Sequence, residues 1–301
     1  MDINTSTRTL RIASAQYDIG RFENWAAFVA KAEYWTQQAV DAGARLLVWP
    51  EYASLELTSL FSAEIQQNLA LQLEQLQTLR EDFIALFTRL AHQHQVYLLP
   101  GTFPVKIETG EYRNRAWIFG PSGLLGFQDK LQMTRFENEQ WHISPGHEIR
   151  VFALPFGAVG ISTCYDSEFP LIARRMVELG AELILVPSCT DTLAGYHRVR
   201  IGCQARALEN QCYVVQSPTV GNADWSAAVD INVGAAGVFT PVDRGFPDNG
   251  VFAQGPMNQP QWLFADLDLA AITEVRRSGQ VLNHRDWPGQ FRALGVSDTD
   301  Q

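Results

Sequence analysis

Cysteine is scarce in this chain. There are four in 301 residues (Cys164, Cys189, Cys203 and Cys212), and none stands in CxxC spacing. A disulfide framework is therefore not expected, and no cluster of His, Cys and Asp has the spacing of metal ligands. Cys189, Cys203 and Cys212 read as small buried hydrophobes. Basic charge is also short. The formal net charge is −10, which leaves no basic stripe to neutralise phosphates and excludes a nucleic-acid surface. No apolar run approaches the ~18 residues that cross a bilayer, and Met1 to Arg11 has no signal-type apolar core. A cytoplasmic, non-membrane protein is expected. A phosphate loop is missing too, because Val233-Gly234-Ala235-Ala236-Gly237 lacks the strand-to-helix setting such a loop needs. No cofactor is expected.

What is present is an ordinary globular composition, 46% apolar and 19% charged, and three apolar segments that each end in one reactive side chain. Gly160-Ile161-Ser162-Thr163 leads to Cys164. Leu46-Leu47-Val48-Trp49-Pro50 leads to Glu51. Leu124-Leu125-Gly126-Phe127-Gln128-Asp129 leads to Lys130. Strands of a layered α/β protein deliver side chains to the ligand crevice at their carboxyl ends, so a thiol, a carboxylate and an amine in these settings form a candidate nucleophilic site.

The chain also repeats itself. Ser14 to Asp18 echoes Ser162 to Asp166, Gly43 to Pro50 echoes Gly180 to Pro187, Gln95 to Leu99 echoes Gln211 to Val215, and Phe119 to Pro121 echoes Phe239 to Pro241. Helical spacing fills the gaps at 24–42, 62–95, 169–179 and 195–210. Two strand–helix units of this kind bury their remaining sheet faces against each other. The expected fold is α/β, a four-layer αββα sandwich of two related halves, in one domain over residues 1–301. Its core spans about 10–287, and the tail 288–301 is peripheral and partly mobile. Under the repeat, Glu51 matches Ser188 and Cys164 matches Gln16. His142 and His197 lack the flanks of a nucleophile partner and read as structural.

Trp49-Pro50-Glu51, Asp129-Lys130-Leu131-Gln132-Met133, Phe136-Glu137 and Cys164-Tyr165-Asp166-Ser167-Glu168-Phe169-Pro170 follow one another in an order that resembles the nitrilase superfamily of carbon–nitrogen hydrolases. The likeness extends through Arg206 to Gln211 and Ala265 to Asp268, covering about Leu10 to Trp287. It implies a Glu51–Lys130–Cys164 triad, with Glu137 as an additional glutamate and Lys130 with the Tyr165 N–H stabilising an oxyanion. It implies a small amide substrate cleaved through a thioester, and a homodimer or higher homo-oligomer paired through the helices near 169–179 and 195–210. Tyr165 is more like amidases and carbamoylases than nitrilases, and the stretch Val186 to His197 resembles a branch of poorly defined substrate, sometimes fused to an acetyltransferase-like domain. N-carbamoyl amines, nitriles and acyl transfer on the same scaffold stay open, as does a non-catalytic binding module. Glu168 and Ser188 are the substrate-contact candidates. Glu168 stands where many relatives carry arginine, so with Asp166 it points toward a neutral or cationic substrate, or it simply faces solvent or Arg174 and Arg175.

Overall fold

The computed structural model describes residues 8–294. In the first half, strands Thr9–Asp18, Leu46–Trp49 and Tyr97–Pro100 run parallel, and Tyr112–Gly120 pairs antiparallel to the last of them. In the second half, Gly157–Ile161, Leu183–Ser188 and Tyr213–Asn222 run parallel, and Gly237–Phe239 is antiparallel. The registers match as well: Leu98 lies opposite Phe119 and Val214 opposite Phe239.

One echo is displaced. Leu46 pairs with Ile12 and its counterpart Leu183 pairs with Val159, so Cys164 corresponds to Tyr17 rather than to Gln16. Parity decides this. Ile12 and Val159 both face the space between the sheets, whereas a Cβ on Gly160 would meet Met176 on the outer side. A slip of one residue would turn every side chain to the wrong face.

Alternation along the strands builds the layers. Ile12, Leu46, Val48 and Leu99 from one half meet Val159, Ile161, Leu183 and Val215 from the other in a central core. The intervening residues face outward. Ala13, Leu47, Trp49 and Leu98 pack under Phe28, Trp35, Phe83 and Phe87 of helices Trp25–Asp41 and Arg80–His94. Ile184, Val186 and Val214 pack under Ile172, Met176, Val199 and Cys203 of helices Pro170–Glu178 and Leu193–Asn210. Each fully buried aliphatic is worth roughly 1.5–3 kcal/mol, so neither half keeps its inner face without the other. Parallel pairing of Tyr17 with Thr219 and Asp18 with Val220 joins the sheets.

The stretch 62–95 differs from a single long helix. It is broken into Ala63–Gln66, Leu69–Leu76 and Arg80–His94, because the Asn68 side chain accepts from the Ala70 and Leu71 N–H groups and caps a new start. His142 and His197 are exposed. Leu171 and Ile201, on the second half's two helices, also stay exposed. After Trp287, whose ring lies 5.0 Å from the Arg174 guanidinium, the chain makes a short turn and the helix Phe291–Leu294. Residues 295–301 of the tail lie outside the described residues. All four cysteines are free. No helix among the described residues is long and apolar enough to cross a membrane.

Gly101 controls the approach to Glu51. Its φ is +76°, and a Cβ there would sit 2.0 Å from the Pro50 carbonyl oxygen. Gly101→Ala is expected to lower stability by at least about 2 kcal/mol, read as a lower melting temperature, with activity falling as Pro50 carries Glu51 out of place.

Candidate active site

Three strand ends converge at one end of the sandwich. Glu51 follows Leu46–Trp49, Lys130 follows Gly123–Asp129, and Cys164 follows Gly157–Ile161. Cys164 adopts φ 49°, a left-handed conformation that is uncommon outside glycine, and opens the 3-10 helix Cys164–Glu168. That helix is pinned from several sides. Ser167 Oγ donates to the Cys164 carbonyl at 2.6 Å. Helix Leu193–Asn210 approaches so closely that a Cβ on Gly202 would lie 2.8 Å from the Ser167 oxygen. The buried Asp166 carboxylate accepts from the N–H groups of Leu131 (3.1 Å) and Gln132 (2.7 Å), which ties the cysteine segment to the lysine segment.

At the centre, Lys130 Nζ donates to Glu51 Oε1 at 2.8 Å and to Glu137 Oε2 at 2.6 Å, all three side chains being buried. Glu137 is held by the capping box of helix Arg135–Glu139, accepting from Thr134 N (2.9 Å) and Thr134 Oγ1 (2.8 Å), and by the Tyr52 hydroxyl at 2.6 Å. Glu51 has fewer donors beyond the lysine: Asn114 Nδ2 at 2.9 Å and the Cys189 N–H at 3.0 Å. Cys164 Sγ lies 3.7 Å from the Cys189 carbonyl oxygen.

These surroundings push the two glutamates apart. Burial raises the Glu51 carboxyl above its ordinary value, Lys130 opposes the shift and Glu137 adds to it. Burial also works against an ionised Glu137, but Lys130 and the Tyr52 and Thr134 donors together outweigh it and hold that carboxyl low. Lys130, despite burial, is held well above the usual range by Glu137 and Glu51. Burial and then Glu51 push the Cys164 thiol well up, with Lys130 opposing. Glu137 is thus held ionised beside Lys130, and Glu51 is the carboxyl whose hold on a proton is raised. Two carboxyls whose surroundings separate them in this way are candidates for an acid–base role.

A cavity of about 360 Å³ opens over these groups and is walled by Trp141, Phe136, Tyr165, Thr190, Val199 and the segment Ala227 to Ile231. It is of a size to take a small molecule. Among the described residues, no three His, Cys, Asp or Glu side chains are grouped to hold a metal ion.

The profile of the family described as Carbon-nitrogen hydrolase matches residues 11–277. The chain belongs to that family. It is 36% identical over 277 residues to Probable hydrolase YhcX of Bacillus subtilis, covering 92% of this chain and 53% of that one, so it spans about half the length of that relative. It is 24% identical to Omega-amidase NIT2 of Danio rerio, covering 91% of this chain and 94% of the relative. Among solved structures it is similar to Saccharomyces cerevisiae Nit3, a member of branch 10 of the nitrilase superfamily, with a TM-score of 0.71, 21% identity and coverage of 90% and 94% of the two chains. An amidase from Nesterenkonia sp. gives a TM-score of 0.67 at 22% identity, with coverage of 92% and 96%. The four-layer sandwich is the fold of these neighbours.

The site candidates fare unequally. Glu51, Lys130, Glu137, Cys164, Tyr165 and Glu168 all line the cavity. Ser188 does not. It is fully buried between strands, and its hydroxyl donates to the Ser217 carbonyl at 3.3 Å. Asp166 faces the backbone of Leu131 and Gln132 rather than a substrate, and burial pushes its carboxyl up to about 7. Glu168 pairs with Arg198 at 3.5 Å, not with Arg174 or Arg175. Cys189 lines the cavity, so it is more than a packed hydrophobe. Tyr52, Asn114 and Cys189 carry the glutamates and were not singled out from sequence. Asn114 stands between Arg113 and Arg115, a run that reads as solvent-facing, and only the tertiary fold buries it.

Proposed function

We propose that this chain is an amidase-type hydrolase that cleaves the carbon–nitrogen bond of a small amide through a thioester on Cys164. The reading rests on one observation: the thiol, the proton-exchanging Glu51 and the cation Lys130 meet at the floor of a single cavity, while Glu137 separately neutralises the lysine. Glu51 takes the thiol proton as Cys164 Sγ attacks the carbonyl carbon. Lys130 Nζ and the Tyr165 N–H, at the start of the 3-10 helix, receive the oxyanion, a contribution of about 3–4 kcal/mol per donor. The tetrahedral adduct collapses, the carbon–nitrogen bond breaks, and Glu51 returns the proton to the departing ammonia or amine. Water then attacks the thioester and passes a proton to Glu51. The acid leaves, and the sulfur recovers its proton. Omega-amidases among the relatives favour an amide over a nitrile as substrate.

The mouth of the cavity bears on substrate charge. Its two arginines are engaged, Arg198 by Glu168 and Arg135 by Glu139 at 2.8 Å, and Asp191 and Asp230 line it as well. Among the described residues lining the cavity, no unpaired arginine or lysine waits for a substrate carboxylate, so neutral and cationic amides are favoured over acidic ones.

The test is ammonia release by the wild type and by Cys164→Ala on neutral, cationic and acidic amides, N-carbamoyl amines and nitriles. The expected result is turnover of a neutral or cationic amide, absent in the variant, with a mass adduct on Cys164 of the wild type. Equal rates in both proteins would remove Cys164 from the chemistry. Best turnover of an ω-amide carrying a carboxylate would overturn the charge reading. Transfer of the acyl group to an added amine in preference to water would recast the protein as an acyltransferase.

A further inference from the structure

We propose that Asn114 is a positioning residue whose one amide group donates to an oxygen of each buried glutamate, keeping Glu51 directed at the thiol while Glu137 stays on the lysine. Asn114 Nδ2 lies 2.9 Å from Glu51 Oε1 and 3.3 Å from Glu137 Oε1. Its own backbone carbonyl accepts the Lys130 N–H at 2.9 Å. One fully buried residue therefore touches both carboxylates and the backbone of the lysine between them.

The orientation of the amide supports the assignment. Asn114 Oδ1 is buried and has no hydrogen-bond partner among the described residues. Turning the amide over would set that oxygen against two carboxylate oxygens and remove both donors. The site leaves one acceptor unsatisfied in order to keep two donors on the acids. A hydrogen bond to the charged form of a carboxyl favours that form, so the amide helps Glu51 stay ionised and ready to accept a proton in a buried setting. The charged and titratable groups facing the two glutamates are Lys130, Cys164, Cys189, Tyr52 and Asp166. Of these, Tyr52 donates to Glu137 alone.

The inference rests on the proposed role of Glu51 as base, so its test avoids any substrate. Alkylation of Cys164 by iodoacetamide is followed against pH in the wild type, Asn114→Leu, Asn114→Asp and Tyr52→Phe. In the wild type the rate falls on the acid side as Glu51 takes a proton. Asn114→Leu is expected to move that acid limb up by about one pH unit, slowing alkylation roughly tenfold below it. Tyr52→Phe should move it less. Should the leucine variant fail to fold, Asn114→Asp exchanges only the amide nitrogen for oxygen and places a third acid beside Glu51, so its limb rises further. A limb unchanged in whichever of these variants folds overturns the proposal, whatever happens to the melting temperature. A wild-type profile without a limb that depends on Glu51 overturns it together with the role of Glu51. A shifted limb in an enzyme that turns over no amide leaves Asn114 in place and removes the hydrolase reading.

Discussion

Glu51→Gln is expected to lower turnover by about a thousandfold or more while the protein stays folded. General-base catalysis contributes 10²–10⁴-fold in well-placed sites, and here the other buried glutamate, Glu137, is committed to Lys130, Tyr52 and Thr134. Glutamine has the same size. Its oxygen can keep the Lys130 and Asn114 contacts made at Oε1, and only the Cys189 N–H is left facing a donor. The pH profile carries a second signature. Burial and Glu137 raise Glu51, so in the wild type kcat/KM should fall with decreasing pH at a point above the ordinary glutamate range. The Cys164 thiol is itself held up by burial and by the Glu51 charge. Removing that charge lowers the thiol pKa even as the base is lost. The residual rate of the variant should therefore climb with pH and follow thiol ionisation, with no acid limb from residue 51. A variant that keeps wild-type turnover at neutral pH would remove Glu51 as base.

Lys130→Met should be the most destabilising single substitution in the site, by about 3–5 kcal/mol at neutral pH. Removing one partner of a buried ion pair leaves the other charge uncompensated, and here two buried carboxylates share the one cation. The pH dependence changes as well. In the wild type, Glu137 is held low, so its contribution to stability is present above the unfolded-state carboxyl range and is lost as pH falls through the folded value. Without the lysine, burial lifts both carboxyls above their unfolded values. Their contribution is then present at low pH and lost as pH rises. In the wild type the raised Glu51 already works in that direction and the lowered Glu137 opposes it, so urea melts at pH 5 and pH 8 should show the variant losing more stability with rising pH than the wild type does. A variant melting like the wild type at both values would mean that the lysine is not the counter-ion of these two acids. Activity should be undetectable, since the oxyanion loses its cation.

Much of this was legible because it is written in local pattern. The strands ahead of Glu51 and Cys164 could be read in one dimension, because a buried parallel strand is a continuous apolar run that gives way to polar residues near its end, whereas Lys130 follows an antiparallel strand whose Leu124 and Leu125 are exposed. The doubled strand–helix order implied the two sheets, because each unit carries an inner face it cannot bury alone. The helix Trp25–Asp41 was framed by its cap Asn24 and by Gly43. Legibility failed where distance in sequence gave no sign of proximity in space. Ser188 matched Glu51 in the repeat, yet its hydroxyl is spent on the Ser217 carbonyl. Asp166, read with Glu168 as a charge bearing on the substrate, is a clamp on the backbone 35 residues away in sequence.

The sequence by itself determined the layers, the alternation of strands and helices along the chain and the three side chains that follow strands, since periodicity and termination are properties of a single segment. Only the tertiary structure decided which glutamate would carry a proton. Glu51 and Glu137 are the same residue type, and their difference arises from what Lys130, Asn114, Tyr52 and Thr134 bring to each from separate parts of the chain. A carboxyl's affinity for its proton is set by burial and by neighbouring charges within a few ångströms, and those distances exist only in the folded protein.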